Sequence, residues 1–314
     1  MPFDTLIEKI VQTQNPTVAG LDPNLELLPA HLLREAEAAH GSGAEGAAAA
    51  VFAFNKGIID ALCDIVPAVK PQCAYYELLG WQGMRALSET IAYAKAKGMF
   101  VITDGKRGDI GSTMEAYAAA HLGKVRFGGE TFEPFGADAL TVNGYLGTDG
   151  IAPLLNICRE AKKGFFVLVK TSNPSAGELQ EQSVEGGSAV FETMGDFCER
   201  WGEQLPGKYG YSGAGAVVGA TWPRQLAELR ARLPHTFFLV PGYGAQGGAA
   251  KDVAGGFDAN GLGAVVNASR SLLYAYRKEG SDGRDFAAAA QREAIRMRDA
   301  LRAVVPGGFR LPET

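Results

Sequence analysis

Met99-Phe100-Val101-Ile102-Thr103-Asp104-Gly105-Lys106-Arg107-Gly108-Asp109-Ile110-Gly111-Ser112-Thr113 passes from an apolar run, through alternating charges and glycines, into the start of a helix. The run 99–103 reads as a buried strand, because it is short, apolar and bounded by turn residues. If extended geometry persists through Gly105, Asp104 and Lys106 share a face, since side chains two apart point the same way. Gly105 and Gly108 allow the backbone to turn, and Asp109 stands where a helix N-cap is expected, with Ser112 and Thr113 in the first turn. The stretch is one strand-to-helix unit whose turn carries its charges.

The same pattern recurs along the chain. Apolar or β-branched runs occupy 17–21, 65–69, 99–103, 139–142, 165–169, 214–219, 237–240 and 263–266, with helical segments between them. Val51, Phe54, Ile58 and Leu62 recur at helical spacing after the first run, as do Phe286, Ala290, Ala294, Met297, Leu301 and Val304 at the end. Eight strands alternating with helices predict a single-domain (β/α)₈ barrel over 1–314. Two connections exceed what a barrel needs: the Ala/Gly-rich stretch 28–50, and the 44 residues between the fifth and sixth strands. Within the latter, 173–188 is polar and Gly-rich, and is expected to be an inserted mobile loop.

The chain has 314 residues and a formal charge of −5, from 30 Lys and Arg against 35 Asp and Glu. No Lys/Arg run exceeds two residues, so nucleic acid is not an expected partner. No apolar stretch is long enough to span a membrane, and the start of the chain resembles neither a signal nor a transit peptide. Cys63, Cys73, Cys158 and Cys198 show no CxxC spacing, and are expected to be reduced thiols of an intracellular, cytoplasmic protein with no metal site. The 41 glycines, nearly twice ordinary usage, point to many tight turns and close backbone approaches.

A barrel of this kind does its chemistry where its strands end. The strand ends run in order into Asp22; Lys70; Asp104, Lys106 and Asp109; Asn143; Lys170, Thr171 and Ser172; then a Gly-rich loop containing Gln246 and Gly247; and finally Asn267, Ser269 and Arg270. Alternating lysines and aspartates meeting at one partly buried mouth are expected to pair and to shift one another's pKa. A lysine flanked by carboxylates stays protonated, as a general acid must. Pro241-Gly242-Tyr243-Gly244-Ala245-Gln246-Gly247-Gly248 contains G-x-G-x-x-G. It follows the seventh strand rather than opening an early βαβ unit, so it fits a barrel's phosphate site better than a dinucleotide site, with Arg270 as the fixed cation. His31, His40, His121 and His235 lie away from the strand ends and are expected at the surface. There is no HExxH, no G-x-S-x-G elbow and no P-loop.

Asp104-Gly105-Lys106-Arg107-Gly108-Asp109-Ile110 resembles the D-x-K-x-x-D-I signature of the orotidine 5′-phosphate decarboxylase family, and 241–248 resembles that family's phosphate loop. Lys170-Thr171-Ser172-Asn173-Pro174-Ser175 and Asn267-Ala268-Ser269-Arg270-Ser271 also fit, particularly the longer bacterial subgroup. The match runs from Gly20-Leu21-Asp22-Pro23 to Arg270, and departs from the pattern at Gly144, where proline is expected.

This resemblance implies a metal-free decarboxylation of orotidine 5′-phosphate to uridine 5′-monophosphate in de novo pyrimidine biosynthesis, with no cofactor. It implies a charge network of Lys70, Asp104, Lys106 and Asp109, with Lys106 as proton donor to C6 and Asp109 supplied by the partner in a homodimer. Asp22, Lys70 and the partner's Thr113 are implied at the ribose, Ser172 at the pyrimidine edge, and Gln246, Gly247 and Arg270 at the phosphate. The alternatives are a metal-dependent sugar-phosphate decarboxylase or synthase on the same barrel, a nicotinamide-dependent oxidoreductase, and an inactive barrel serving as a binding module.

Overall fold

The computed structural model describes residues 1–244, 247–305 and 307–312. Eight parallel strands close into a barrel in simple sequential order: β1 (Thr17–Leu21), β2 (Ala68–Pro71), β3 (Phe100–Arg107), β4 (Ala139–Val142), β5 (Gly164–Lys170), β6 (Ala214–Val218), β7 (Phe238–Val240) and β8 (Ala264–Ala268), with β8 pairing back onto β1. Helices alternate with the strands, giving the (β/α)₈ barrel that the run pattern predicts.

The second strand begins three residues later than 65–69 predicts. Ile65 and Val66 still bond through their amides to the Leu62 carbonyl, closing the preceding helix Ala44–Leu62, so these apolar residues finish a turn. The long connection 28–50 is largely helical, holding Ala30–His40 and the first part of Ala44–Leu62. Its alanines supply helix propensity where periodicity is weak.

The N-terminal segment is a structural plug. Helix Pro2–Thr13 buries Phe3, Leu6, Ile7 and Ile10 beneath the barrel, in one cluster with the lumen residues Val18, Phe100, Ile102, Phe166 and Phe237. The Phe3 ring lies 4.7 Å from Phe166 and 5.4 Å from Phe237, centre to centre. Each such apolar side chain contributes about 1.5–3 kcal/mol by leaving water, so these contacts hold the helix against the far end of the barrel. An antiparallel hairpin, Val125–Phe127 with Glu130–Phe132, follows helix Gly111–Leu122 and lies outside the barrel.

His121 is not at the surface as expected. It is buried against the Phe135 ring, and burial lowers its pKa to about 4. The four thiols are free, and three of them are buried. Among the described residues, no helix is long and apolar enough to cross a membrane.

Candidate active site

The mouth of the barrel opens into a cavity of about 620 Å³ lined by Asp22, Lys70, Asp104, Lys106, Ser172 and Arg270, all six read from the strand ends. β3 supplies its centre. Between Thr103 and Arg107 the β3–β4 register slips, so that Thr103 faces Leu140 while Arg107 faces Val142. The bulge holds Lys106 at φ +47°, a left-handed backbone that costs a non-glycine residue about 1 kcal/mol. It places Asp104 and Lys106 in the cavity with Lys106 Nζ 2.6 Å from Asp104 Oδ1. Lys70 Nζ, from the neighbouring β2, sits 2.5 Å from Asp104 Oδ2.

Two further side chains, uncharged and unmarked by any motif, complete this arrangement. Thr141 on β4 donates from Oγ1 to Asp104 Oδ1 at 2.8 Å and accepts from the Lys106 amide at 3.0 Å. Gln72, just past β2, donates from Nε2 to Asp104 Oδ2 at 3.0 Å. Both lie two residues along from a position whose inward direction is already fixed (Gln72 from Lys70, Thr141 from Ala139), so strand alternation is the signal that finds them.

The Asp104 carboxylate thus receives four partners while nearly buried. Burial alone would raise its pKa, but Lys70 and Lys106 override this and hold it well below the usual carboxylate range. Burial likewise disfavours the Lys70 ammonium, yet Asp104 and Asp22 hold its pKa above the usual lysine value. Both groups are therefore charged throughout the neutral range. Lys70 is locked in place, whereas the Lys106 side chain is about half exposed and presents its ammonium to the cavity.

The opposite wall suits an anion. Pro241, Gly242 and Tyr243 line it, Gly242 at φ +98° and Gly244 at φ +74°, and the loop folds on itself through Gly244 N to Gly248 O at 2.8 Å. Arg270 lines the same wall, with no ion pair among the described residues. Gly247, exposed at φ +97°, is not among the lining residues, and Gln246 falls outside the described residues.

Asp109 and Thr113 do not line this chain's cavity. The capping role open to Asp109 is not realised either. The N-cap of helix Gly111–Leu122 is Ile110, without a side-chain cap bond, and Asp109 Oδ1 accepts from the adjacent Ile110 amide at 2.8 Å. Lys170 also departs from the mouth and is buried elsewhere. Gly144, where proline is expected, has a packing reason: a Cβ there would lie 2.7 Å from Met194 Sδ and 2.8 Å from Val167 Cγ1.

Known proteins resemble this chain in sequence and in fold. The model of the orotidine 5′-phosphate decarboxylase / HUMPS family matches residues 55–281. An orotidine 5′-phosphate decarboxylase of Rhodopirellula baltica is 45% identical over 304 residues, covering 96% of each chain. One from Caldicellulosiruptor saccharolyticus is 40% identical, covering 87% of this chain and 90% of its own. The solved structure of Leishmania donovani OMP decarboxylase superposes with a TM-score of 0.69 at 31% identity, over 95% of this chain and 99% of that one. The chain belongs to the orotidine 5′-phosphate decarboxylase / HUMPS family.

Proposed function

We propose that this protein decarboxylates orotidine 5′-phosphate to uridine 5′-monophosphate in pyrimidine biosynthesis, without a metal, and that Lys106 delivers the proton to C6. The observation that carries this reading is the Lys70–Asp104–Lys106 row, in which one buried carboxylate has an ammonium on each oxygen, facing an anion-binding wall across a nucleotide-sized cavity.

When the C6–CO₂ bond of orotidylate breaks, its electron pair stays on C6 in an orbital that no adjacent π system can share. The site must stabilise localised negative charge, and a preorganised ammonium does so without reorganising solvent. Lys106 then transfers its proton to C6 and regains one from water, so that substrate and a proton become uridylate and CO₂. Asp104, held ionised, disfavours the substrate carboxylate beside it. Asp22 and Lys70 take the ribose hydroxyls, Ser172 the pyrimidine edge, and Gln246, Gly247 and Arg270 the phosphate.

A metal-dependent sugar-phosphate reaction on the same barrel needs carboxylates free to hold a divalent ion. Both Asp104 oxygens are already engaged by lysines, which favours the metal-free reading. The two separate in an assay of the purified protein with orotidylate and EDTA. The expected result is uridylate and CO₂ at an undiminished rate. No turnover of orotidylate, or loss of activity restored by Mg²⁺, would move the assignment to the sugar-phosphate enzymes.

Arg270→Ala is expected to lower kcat/KM for orotidylate by about 100-fold, the scale of losing one charged partner of a desolvated anion. The loss should appear in kcat as well as KM, since remote phosphate binding helps assemble the site. Steady-state kinetics with orotidylate and with phosphate-free orotidine checks this. Equal processing of the two substrates by the unaltered enzyme would remove the phosphate role.

The working form is a homodimer with shared sites, in the cytoplasm, where free thiols stay reduced. Exposed Leu78, Trp81, Ile110, Tyr145 and Leu146 follow the neighbouring strands β2, β3 and β4 and support a self-association face there. In this reading Asp109 and Thr113, which flank Ile110 in sequence and lie outside their own chain's cavity lining, serve the partner's cavity.

A further inference from the structure

β5 ends in a lysine that the proposed chemistry does not use. The β5–β6 register slips between Leu168, paired with Val217, and Lys170, paired with Val218, and the slip takes Lys170 out of the cavity. Its side chain is fully buried, with Nζ 4.3 Å from the centre of the Trp222 ring and 5.5 Å from that of Phe191. An ammonium removed from water needs a counterion, and Glu181 supplies it, Oε1 lying 2.7 Å from Nζ. Glu181 belongs to the insertion 173–188, so a charge rooted in the barrel is neutralised by a residue of the loop.

The same groups fix the backbone on both sides of Ser172. Trp222 donates from Nε1 to the Thr171 carbonyl at 2.8 Å. Gln180, next to Glu181, accepts from the Thr171 amide at 2.9 Å and donates to Thr171 Oγ1 at 2.7 Å. Thr221 donates from Oγ1 to the Ser172 carbonyl at 3.1 Å. Gly219 lets β6 approach closely, since a Cβ there would lie 2.7 Å from Ser172 Cα. Ser172, Leu179 and Gln180 all line the cavity.

We infer that Lys170 and Glu181 are a positioning pair, which ties the insertion to the barrel and so sets Ser172 and the 175–180 wall against the substrate's ring, touching no substrate themselves. This rests on the proposed function, which gives Ser172 the pyrimidine edge. Because the pair acts on how the ring is held and not on the charge at C6, its loss should appear in KM and leave the chemical step largely intact.

The test uses Glu181→Gln and the double variant Lys170→Met/Glu181→Gln, which removes both charges and leaves no unpaired ammonium should the single variant fold poorly. KM for orotidylate is expected to rise about tenfold in the double variant with kcat changed less than about twofold, the scale of one weakened hydrogen bond that holds substrate and transition state alike. In the ligand-free protein, amide hydrogen exchange over 174–182 should speed up by about tenfold while β5 and β6 keep their protection. An unchanged KM, a loss confined to kcat, or unchanged exchange over 174–182 would each overturn the inference. Exchange needs no substrate, so it tests the tie even if the unaltered protein fails to turn over orotidylate, a result that would count against the proposed function instead.

Discussion

Lys106→Ala is expected to abolish turnover, lowering kcat by at least about 10⁴-fold. In the proposed reaction the removed group serves both as the electrostatic stabiliser of developing charge, worth about 10²–10³, and as the proton donor, worth about 10²–10⁴. The fold should survive. Asp104 keeps Lys70, Gln72 and Thr141 as partners, and the lost ammonium is half exposed, so no buried charge is left alone. Alanine also remains at a positive-φ position, so little strain is gained or lost there. Single-turnover kinetics together with uridylate affinity checks the expectation: the rate should collapse while product binding changes little. Substantial residual decarboxylation would mean that another group protonates C6.

The second large effect is a recovery of activity. Asp109 is absent from its own chain's cavity lining and makes no helix cap, while Ile110, Tyr145 and Leu146 beside it are exposed. Gly150 packs under it, a Cβ there falling 3.0 Å from the Asp109 carbonyl oxygen. Such placement suits a residue that works across a two-fold interface. Lys106→Ala and Asp109→Ala should each be nearly inactive alone. In a heterodimer of the two, one site receives an intact Lys106 from one chain and an intact Asp109 from the other. Random reassortment puts half the chains in heterodimers with one complete site each, so mixing should restore about a quarter of the unaltered activity. If Asp109 serves its own chain, every site in the mixture lacks one residue. No recovery, with heterodimers confirmed by differential tagging and mass, would remove the shared site.

Much of this site is legible in the sequence, because strand alternation and glycine placement are local. The stretch around Asp104 and Lys106 announces a charged turn after a buried strand, and the mouth is where a barrel gathers strand ends. What escapes depends on neighbours that sequence does not name. Lys170 reads like its companions at the other strand ends, yet a register slip against β6 turns it away from the cavity. Ile65 and Val66 look like strand and finish a helix, because apolar identity does not separate the two. Gln72 and Thr141 carry no charge and stand out only once their strands' inward faces are known. The role of helix Pro2–Thr13 as barrel plug emerges only from the aromatic rings it meets.

The most direct measurement is the reaction of orotidylate with the chelator-treated protein in D₂O, followed by proton NMR of the product. A metal-free site in which Lys106 exchanges its ammonium protons with solvent and delivers one to C6 predicts uridylate that carries deuterium at C6 and protium at C5. Failure to form uridylate under chelation, or uridylate formed without deuterium at C6, would contradict it.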